Sequence, residues 1–244
     1  MGEGLKDIGN IASMIEDSDL ILQSIGTQME KTLHKSIKHY LCPDAMCHEF
    51  KIGTFIADIY QNGKITEIQT GSFRSMESKL SKLLDHYPIT IVYPVIRKKT
   101  IYRMDSGASS KPVRSPKTGQ PLSIASELVQ IRSHLLHPNL DFIIFMVDVD
   151  EYRVKSLDPS NRKAYDRIDQ FAKGVPQLIS LRTKQDYVDL LPKTLPEQFT
   201  VVELMKAAKL NQTDAQALVT VLRDLNVIFH AGKRGRAFLY QFVS

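Results

Sequence analysis

The chain of 244 residues is 43% hydrophobic, which is ordinary for a globular protein, and its length suits one large domain or two small ones. No run approaches the roughly twenty apolar residues of a membrane span, and two cysteines are too few for a disulfide framework. We therefore expect no membrane association and a reducing, cytoplasmic location. The excess of 32 Lys and Arg over 27 Asp and Glu permits a nucleic-acid partner without requiring one.

Helical spacing of apolar residues characterises the start of the chain. Short apolar clusters predict an N-terminal helical segment in residues 1–24, and from Ile25 to Leu41 apolar residues recur every three or four positions, as in an amphipathic helix. Glu30 borders this apolar stripe. The ordinary interpretation of an isolated glutamate there is a solvated residue on the helix surface.

A β-hairpin is the strongest local signal. Asn62 and Gly63 separate two short runs rich in β-branched and aromatic residues, which is typical of a two-residue turn. Counting outward from this turn predicts the cross-strand pairs Gln61–Lys64, Tyr60–Ile65, Ile59–Thr66 and Asp58–Glu67. Because side chains alternate along a strand, Asp58, Glu67 and Gln69 are predicted on one face. Like charges opposite each other destabilise a hairpin, so the two carboxylates indicate a compensating cation, a shared proton or a nearby base. A divalent metal is the most economical of these.

Helices and apolar strands alternate after the hairpin. The predicted helices are residues 72–86 and 124–136, and the predicted buried strands are residues 89–95 and 141–154. A basic segment with Arg97, Lys98 and Lys99 follows the first of these strands. It is either a solvated sheet edge or a ridge that contacts phosphates.

Two composition changes divide the rest of the chain. Residues 156–192 are mostly polar and predict a connector with one or two short helices, whereas residues 193–244 predict a compact unit. In that unit Thr200 and Thr213 are expected to cap two helices, and two strands follow. The order resembles a winged helix, in which the second helix enters the major groove of DNA.

The tip between these last two strands is basic. Lys233, Arg234 and Arg236 lie between and beside two glycines, which places them well for phosphate contacts. A solvated turn is the alternative, and a winged helix can also be a protein-interaction module.

The order helix, hairpin, helix and buried strand over residues 25–96 resembles the core of the PD-(D/E)xK nuclease superfamily. Asp58 and the sequence Glu67-Ile68-Gln69 carry the resemblance. It implies an α/β fold of the restriction-endonuclease-like type, with a mixed sheet flanked by helices in residues 25–155. It also implies cleavage of DNA with Mg²⁺ or Mn²⁺.

The resemblance assigns roles to individual residues. Asp58 and Glu67 would be metal ligands, the Ile68 carbonyl a further ligand, and Glu30 an accessory acid. Gln69 stands where the family usually has a lysine that orients or activates the attacking water. An amide can position water but supplies no charge, so Lys79 or Lys51 would have to provide it.

Other classes of function compete with a nuclease. The alternative interpretation of Asp58 and Glu67 is a pair of solvated hairpin residues neutralised by Lys64 and Lys51. A non-catalytic DNA-binding regulator fits the replacement of lysine by Gln69. A homodimer, or a subunit of a larger defence or repair complex, is a further alternative.

Overall fold

The computed structural model describes residue 7 and residues 32–105, 108–109, 111–156 and 164–243. Glu30 lies outside the described residues, as does the predicted helical segment 1–24 apart from Asp7. No helix in these ranges is long and apolar enough to cross a membrane.

Six α-helices lie in the described ranges: α1 (Thr32–Leu41), α2 (Met76–Leu83), α3 (Ala125–Leu128), α4 (Lys184–Asp189), α5 (Val201–Ala208) and α6 (Gln212–Asp224). The strands there are β1 (His48–Ile52), β2 (Phe55–Gln61), β3 (Lys64–Ile68), β4 (Ile89–Asp105), β5 (Ala108–Ser109), β6 (Val113–Arg114), β7 (Leu140–Lys155), β8 (Tyr165–Leu181), β9 (Gln198–Phe199), β10 (Ile228–Arg234) and β11 (Ala237–Phe242). Short 3-10 turns occur at Ala45–Cys47, Phe73–Ser75, Pro121–Ile124 and Val129–Ile131.

A large mixed sheet forms the centre of the molecule. Its strand order is β1-β2-β3-β4-β7-β8, and the short strands β5 and β6 pair with β4. The pairs β1–β2, β2–β3 and β7–β8 are antiparallel, whereas β3–β4 and β4–β7 are parallel. The predicted α/β class with a mixed sheet flanked by helices is therefore confirmed.

The hairpin between β2 and β3 has the predicted register. Its ladder pairs Gln61 with Lys64, Tyr60 with Ile65, and Ile59 with Thr66. Asn62 has φ 51° and Gly63 has φ 76°, the two left-handed conformations of a type I′ turn. The ladder ends at Ile59 and Thr66, so the predicted fourth pair, Asp58 with Glu67, is not part of it.

The two faces of the sheet bury different sets of side chains. Helix α2 packs on one face, in a core that includes Leu80, Ile65 and Phe142. Helix α1 packs on the other face, where Ile37 and Phe145 are among the buried residues. Phe142 and Phe145 are three residues apart on β7 and therefore point to opposite faces. A sheet with both faces covered requires the strongly apolar strands that the sequence predicted.

The prediction of a polar connector over residues 156–192 is wrong. More than half of the described residues of that stretch form the 17-residue strand β8, and helix α4 follows. Strand β8 is the outermost strand of the sheet order, so many of its side chains face solvent and its composition is polar. Its position also tolerates Gly174, with φ 71°, and Pro176. These residues obscured the strand.

Two further predictions need correction. The predicted helix 124–136 is α-helical only over the four residues of α3, with 3-10 turns on either side. Strand β4 extends through the basic segment to Asp105, so Arg97, Lys98 and Lys99 lie inside a long strand, beside β7.

The C-terminal unit combines α5 and α6 with a three-stranded sheet of order β10-β11-β9. Thr200 caps α5 in a capping box with Glu203, as predicted. The cap of α6 is Asn211 instead of the predicted Thr213, because the Asn211 side chain accepts a hydrogen bond from the backbone N–H of Asp214 at 2.9 Å.

The C-terminal unit also packs against the segment around α3. Ser126 Oγ donates to Asp214 at 2.6 Å, and Arg132 Nε donates to Asp224 at 2.6 Å. Buried residues of α6 join the same core as those of α2 and α3. One side of α6 is therefore covered by the first part of the chain.

Candidate functional site

Asp58 lies where β2 and β3 separate. Its Oδ2 accepts a hydrogen bond from the backbone N–H of Ile68 at 2.7 Å and lies 3.3 Å from Nε2 of His34. Burial acts to raise the pKa of Asp58, but His34, the Ile68 N–H and the charge of Lys38 together outweigh it. The pKa of Asp58 is therefore lowered from its ordinary value, and the group is a carboxylate at neutral pH.

Glu67 has a different environment. It is 7% exposed, and Lys79 Nζ lies 2.5 Å from its Oε1. The same ammonium donates to the backbone carbonyl of Ile56 at 2.6 Å. Burial raises the pKa of Glu67 to about 7, although Lys79 acts to lower it. The protonated and ionised forms of Glu67 are therefore about equally populated near neutral pH.

The two acids contact helices on opposite faces of the sheet. Asp58 meets His34 of α1, whereas Glu67 meets Lys79 of α2. The predicted cross-strand pair of Asp58 and Glu67 is absent, because Asp58 accepts a hydrogen bond from the Ile68 N–H and contacts His34. The two acids are still neighbours, since burial and then the charge of Asp58 raise the pKa of Glu67. In the structure His34 lies beside Asp58 and Lys79 beside Glu67, whereas Lys64 pairs with Asp141 instead.

Gln69 is not directed at either acid. Its side-chain amide donates to the carbonyl of Ser72 at 2.7 Å, and its backbone N–H donates to Val92 at 2.9 Å. These contacts close the turn that follows β3. The charge that Gln69 lacks is instead supplied next to Glu67 by Lys79, one of the two lysines named from the sequence.

No group of three or more His, Cys, Asp or Glu side chains in the described ranges is arranged to hold a metal ion. Mg²⁺ is typically bound by one or two carboxylates, with water and substrate phosphates completing its shell. Asp58 and Glu67 supply oxygen ligands of that type, but their present contacts do not direct both carboxylates to one point.

A cleft of about 500 Å³ opens beside His34. It lies where β3 ends while β4 continues, and a crevice at the carboxyl ends of parallel strands is a common ligand site in open α/β sheets. Its lining comes from α1, β4, β8 and the loop before α3: Leu33, His34, Thr70, Tyr93–Ile96, Gly119, Ser123 and Arg167–Gln170.

Sequence analysis missed His34 and Lys38 as neighbours of Asp58. Both lie on α1, four residues apart, and therefore on the same side of that helix. That spacing was the available signal. Lys38 is 2% exposed and pairs with Glu49, so it is a buried cation of the site.

Most cations of the predicted basic ridge have acidic partners. Arg97 Nε lies 2.8 Å from Asp148, and Lys99 Nζ lies 2.8 Å from Glu151. Lys98 is exposed and forms no ion pair with any described residue. The phosphate-contacting ridge stays a prediction, and Lys98 is the cation of this segment that has no acidic partner among the described residues.

The cations at the tip of the C-terminal hairpin likewise differ in whether they have an acidic partner. Arg234 Nη1 lies 2.7 Å from Glu203, which ties the tip to the start of α5. Lys233 Nζ lies 5.4 Å from the centre of the Phe238 ring, and Arg236 is exposed. Lys233 and Arg236 are thus more available to an external anion than Arg234.

Comparison with known proteins identifies a family and one relative. A family model described as "Domain of unknown function (DUF8091)" matches residues 31–182, more than half of the chain. A protein of Treponema pallidum (strain Nichols), described as "Uncharacterized protein", is 28% identical over 223 residues, which cover 89% of this chain and 87% of that protein. No solved structure matches the chain.

Proposed function

The chain belongs to the DUF8091 family, and we propose that it is a metal-dependent DNA nuclease, or a nuclease-like protein that processes DNA. The order α1-β1-β2-β3-α2-β4, with β3 parallel to β4, supports the proposal because it agrees with the order of elements in the restriction-endonuclease-like core. In this proposal Asp58 and Glu67 take the place of the two strand acids of that family.

The observation that carries the proposal is that two acids lie at neighbouring strand positions, where the charge of Asp58 acts on Glu67, and that each has a cationic or basic residue beside it. Asp58 faces His34 beside the cleft, and Glu67 is held by Lys79. A bound Mg²⁺ or Mn²⁺ would lower the pKa of a water molecule and neutralise charge on a phosphate. Asp58 and Glu67 are the residues that would hold it, with the Ile68 carbonyl and Glu30 as further candidates.

The protein's own side chains would prepare the reaction. His34 and Lys38 keep Asp58 ionised, which suits an oxygen ligand. Lys79 keeps a positive charge beside Glu67 and thereby takes the place of the strand lysine that Gln69 replaces. A phosphodiester in the cleft beside His34 would lie next to the residue that contacts Asp58.

The C-terminal unit is proposed to be a winged helix that binds DNA. Helices α5 and α6 precede the hairpin β10–β11, as that module requires. Packing against α3 leaves Thr213, Gln216, Thr220 and Arg223 exposed along one side of α6. Together with Lys233 and Arg236, this side would face the duplex.

A cleavage assay tests the proposal. Plasmid and branched DNA are incubated with the protein and Mg²⁺ or Mn²⁺, beside an Asp58→Asn variant that keeps the size of the side chain. We expect metal-dependent nicks or breaks with the wild type and none with the variant. Equal cleavage by both proteins, or none by either on every substrate, would rule out the proposed activity.

The second candidate is a non-catalytic DNA-binding protein, alone, as a homodimer or within a larger complex. The bond from Gln69 to Ser72 and the buried contact of Glu67 with Lys79 favour it, because they hold two of the proposed site residues, Gln69 and Glu67, in structural contacts. Metal-independent binding of one duplex sequence, lost when Lys233 and Arg236 become Ala, would support this candidate. The cytoplasm is the proposed location of either activity.

A further inference from the structure

Three arginines lie side by side on the long strands of the sheet. Arg103 of β4 pairs in register with Arg153 of β7, and Arg153 pairs with Arg167 of β8. Register partners point to the same face, so the three guanidinium groups form a row across strands about 4.8 Å apart. We call these residues the arginine row. Like charges directly opposite each other destabilise a sheet, so we expect the arginine row to have an anionic partner.

The protein itself supplies one carboxylate close to the row. Glu151 is 1% exposed and accepts hydrogen bonds from Arg153 Nε at 2.7 Å, Lys99 Nζ at 2.8 Å and Gln170 Nε2 at 2.6 Å. These bonds outweigh the effect of burial and lower the pKa of Glu151 from its ordinary value. Its single negative charge is therefore shared between two cations.

The outer two arginines are not neutralised in this way. Arg103 stacks over Tyr165, with its Cζ 5.1 Å from the ring centre, and its Nε is buried without a hydrogen-bond partner among the described residues. Arg167 is exposed and has no ion pair within the described part of the chain. The row consequently keeps excess positive charge on one face of the sheet.

The row leads into the cleft of the candidate site. Arg167 and Gln170 line that cleft opposite His34, whose imidazole contacts Asp58. Asp169 is an acid in the same lining, but it already accepts hydrogen bonds from Thr32 Oγ1 and from the backbone N–H of Gln170. These neutral donors leave the negative charge of Asp169 in place, so the positive charge begins at Arg167 in the cleft lining and continues along β7 and β4.

We propose that the arginine row binds the phosphate backbone of DNA and directs one strand into the cleft beside His34. The inference rests on the proposed nuclease-like function and identifies where its substrate runs. Guanidinium groups suit phosphate because their planar donors can bind two oxygens at once. Strands β4 and β8, which carry the first and last arginines of the row, are about 10 Å apart. Along one strand of DNA a phosphate occurs about every 3.4 Å of helix axis, so the row faces two or three phosphates.

The test measures DNA binding without any divalent metal. A fluorescein-labelled duplex is titrated in EDTA over a series of salt concentrations, with the wild type and an Arg103→Gln, Arg167→Gln variant. We expect the slope of log affinity against log salt to fall by about two, one for each lost phosphate contact. At about 0.1 M salt this corresponds to roughly tenfold weaker binding for each arginine.

The matched control is Lys173→Gln with Arg182→Gln. It removes the same charge, but Lys173 pairs with Asp150 on the opposite face of the sheet, and Arg182 pairs with Asp141 beyond the end of β8. We expect the control to keep most of the wild-type slope. If the double variant has a lower melting temperature than the wild type, the single variant Arg167→Gln, which changes an exposed residue, replaces it in the binding measurement.

Several outcomes would overturn the inference: no DNA binding by the wild type, an unchanged slope in both row variants, or an equal loss in the control. Because no metal is present, these results do not depend on cleavage. DNA binding that depends on the row, without cleavage, would support the arginine row and rule out the nuclease activity. Cleavage with DNA binding that does not depend on the row would support the nuclease activity and rule out the arginine row.

Discussion

Replacing Glu67 by Gln tests the buried contact at the candidate site. Glu67 is 7% exposed, and burial raises its pKa from 4.5 to about 7. The native state therefore holds this proton more tightly than the unfolded chain does. Its contribution to stability is fully present below pH 4.5 and is lost as the pH rises through about 7.

The shift sets the expected magnitude. Moving a pKa from 4.5 to about 7 corresponds to about 3 kcal/mol, since one pKa unit is about 1.4 kcal/mol. Gln cannot titrate, so the free energy of unfolding of Glu67→Gln should improve relative to the wild type by about 3 kcal/mol between pH 4.5 and about pH 8. Any effect of the substitution on the Lys79 contact that does not depend on pH adds a constant to this difference, so only the change with pH is diagnostic.

Urea unfolding at a series of pH values, followed by circular dichroism, measures the difference. The double variant Glu67→Gln, Lys79→Met also removes the buried ammonium and should show the same pH dependence as the single variant. A difference between wild type and Glu67→Gln that stays constant over this pH range, or that changes in the opposite direction, would refute the assignment of a raised pKa to Glu67.

Three other substitutions follow from the fold. Gly63→Ala should lower the free energy of unfolding by about 1–2 kcal/mol, because Gly63 has φ 76°; the same change at Gly71, which has open space around it, is the control. Gly119→Ala should cost about 1–3 kcal/mol, because the new Cβ would lie 2.4 Å from the backbone oxygen of Ile96; a fully stable variant would show that the cleft wall can move. Glu151→Gln should cost about 3–5 kcal/mol at neutral pH by leaving two cations unpaired. The lowered pKa of Glu151 means that this cost shrinks only in acid, where the wild-type carboxylate is protonated, and a loss independent of pH would contradict the charge argument.

The hairpin was predictable because its information is local. Asn62 and Gly63 specify a turn whose geometry fixes the register of the flanking strands, and three of the four predicted pairs are present. The apolar strands β4 and β7 were equally accessible, since strands covered on both faces are apolar throughout. The fourth pair failed because Asp58 binds a backbone N–H and a helix residue that strand counting does not include.

Features that depend on how strands far apart in the sequence align with each other were not predictable from the sequence. Strand β8 is polar because it is an outer strand, so its periodicity was weak. The arginine row depends on the alignment of Arg103, Arg153 and Arg167 on three strands. About fifty residues separate Arg103 from Arg153, and a bulge interrupts the pairing of β7 with β8 next to Arg153. A shift of one residue in either pairing would disperse the row. The contact between Glu67 and Lys79 was anticipated only as one of two options.

Thermal stability during a Mn²⁺ titration tests most directly whether Asp58 and Glu67 hold a metal together. A ligand that binds the native state stabilises it by about 2.7 kcal/mol at one hundred times its dissociation constant, so the wild-type melting temperature should rise with Mn²⁺. We expect Asp58→Asn and Glu67→Gln each to abolish the rise, with Lys173→Gln as an unaffected control. A rise that survives in both acid variants, or no rise in the wild type with DNA present, would contradict a metal site at these two acids.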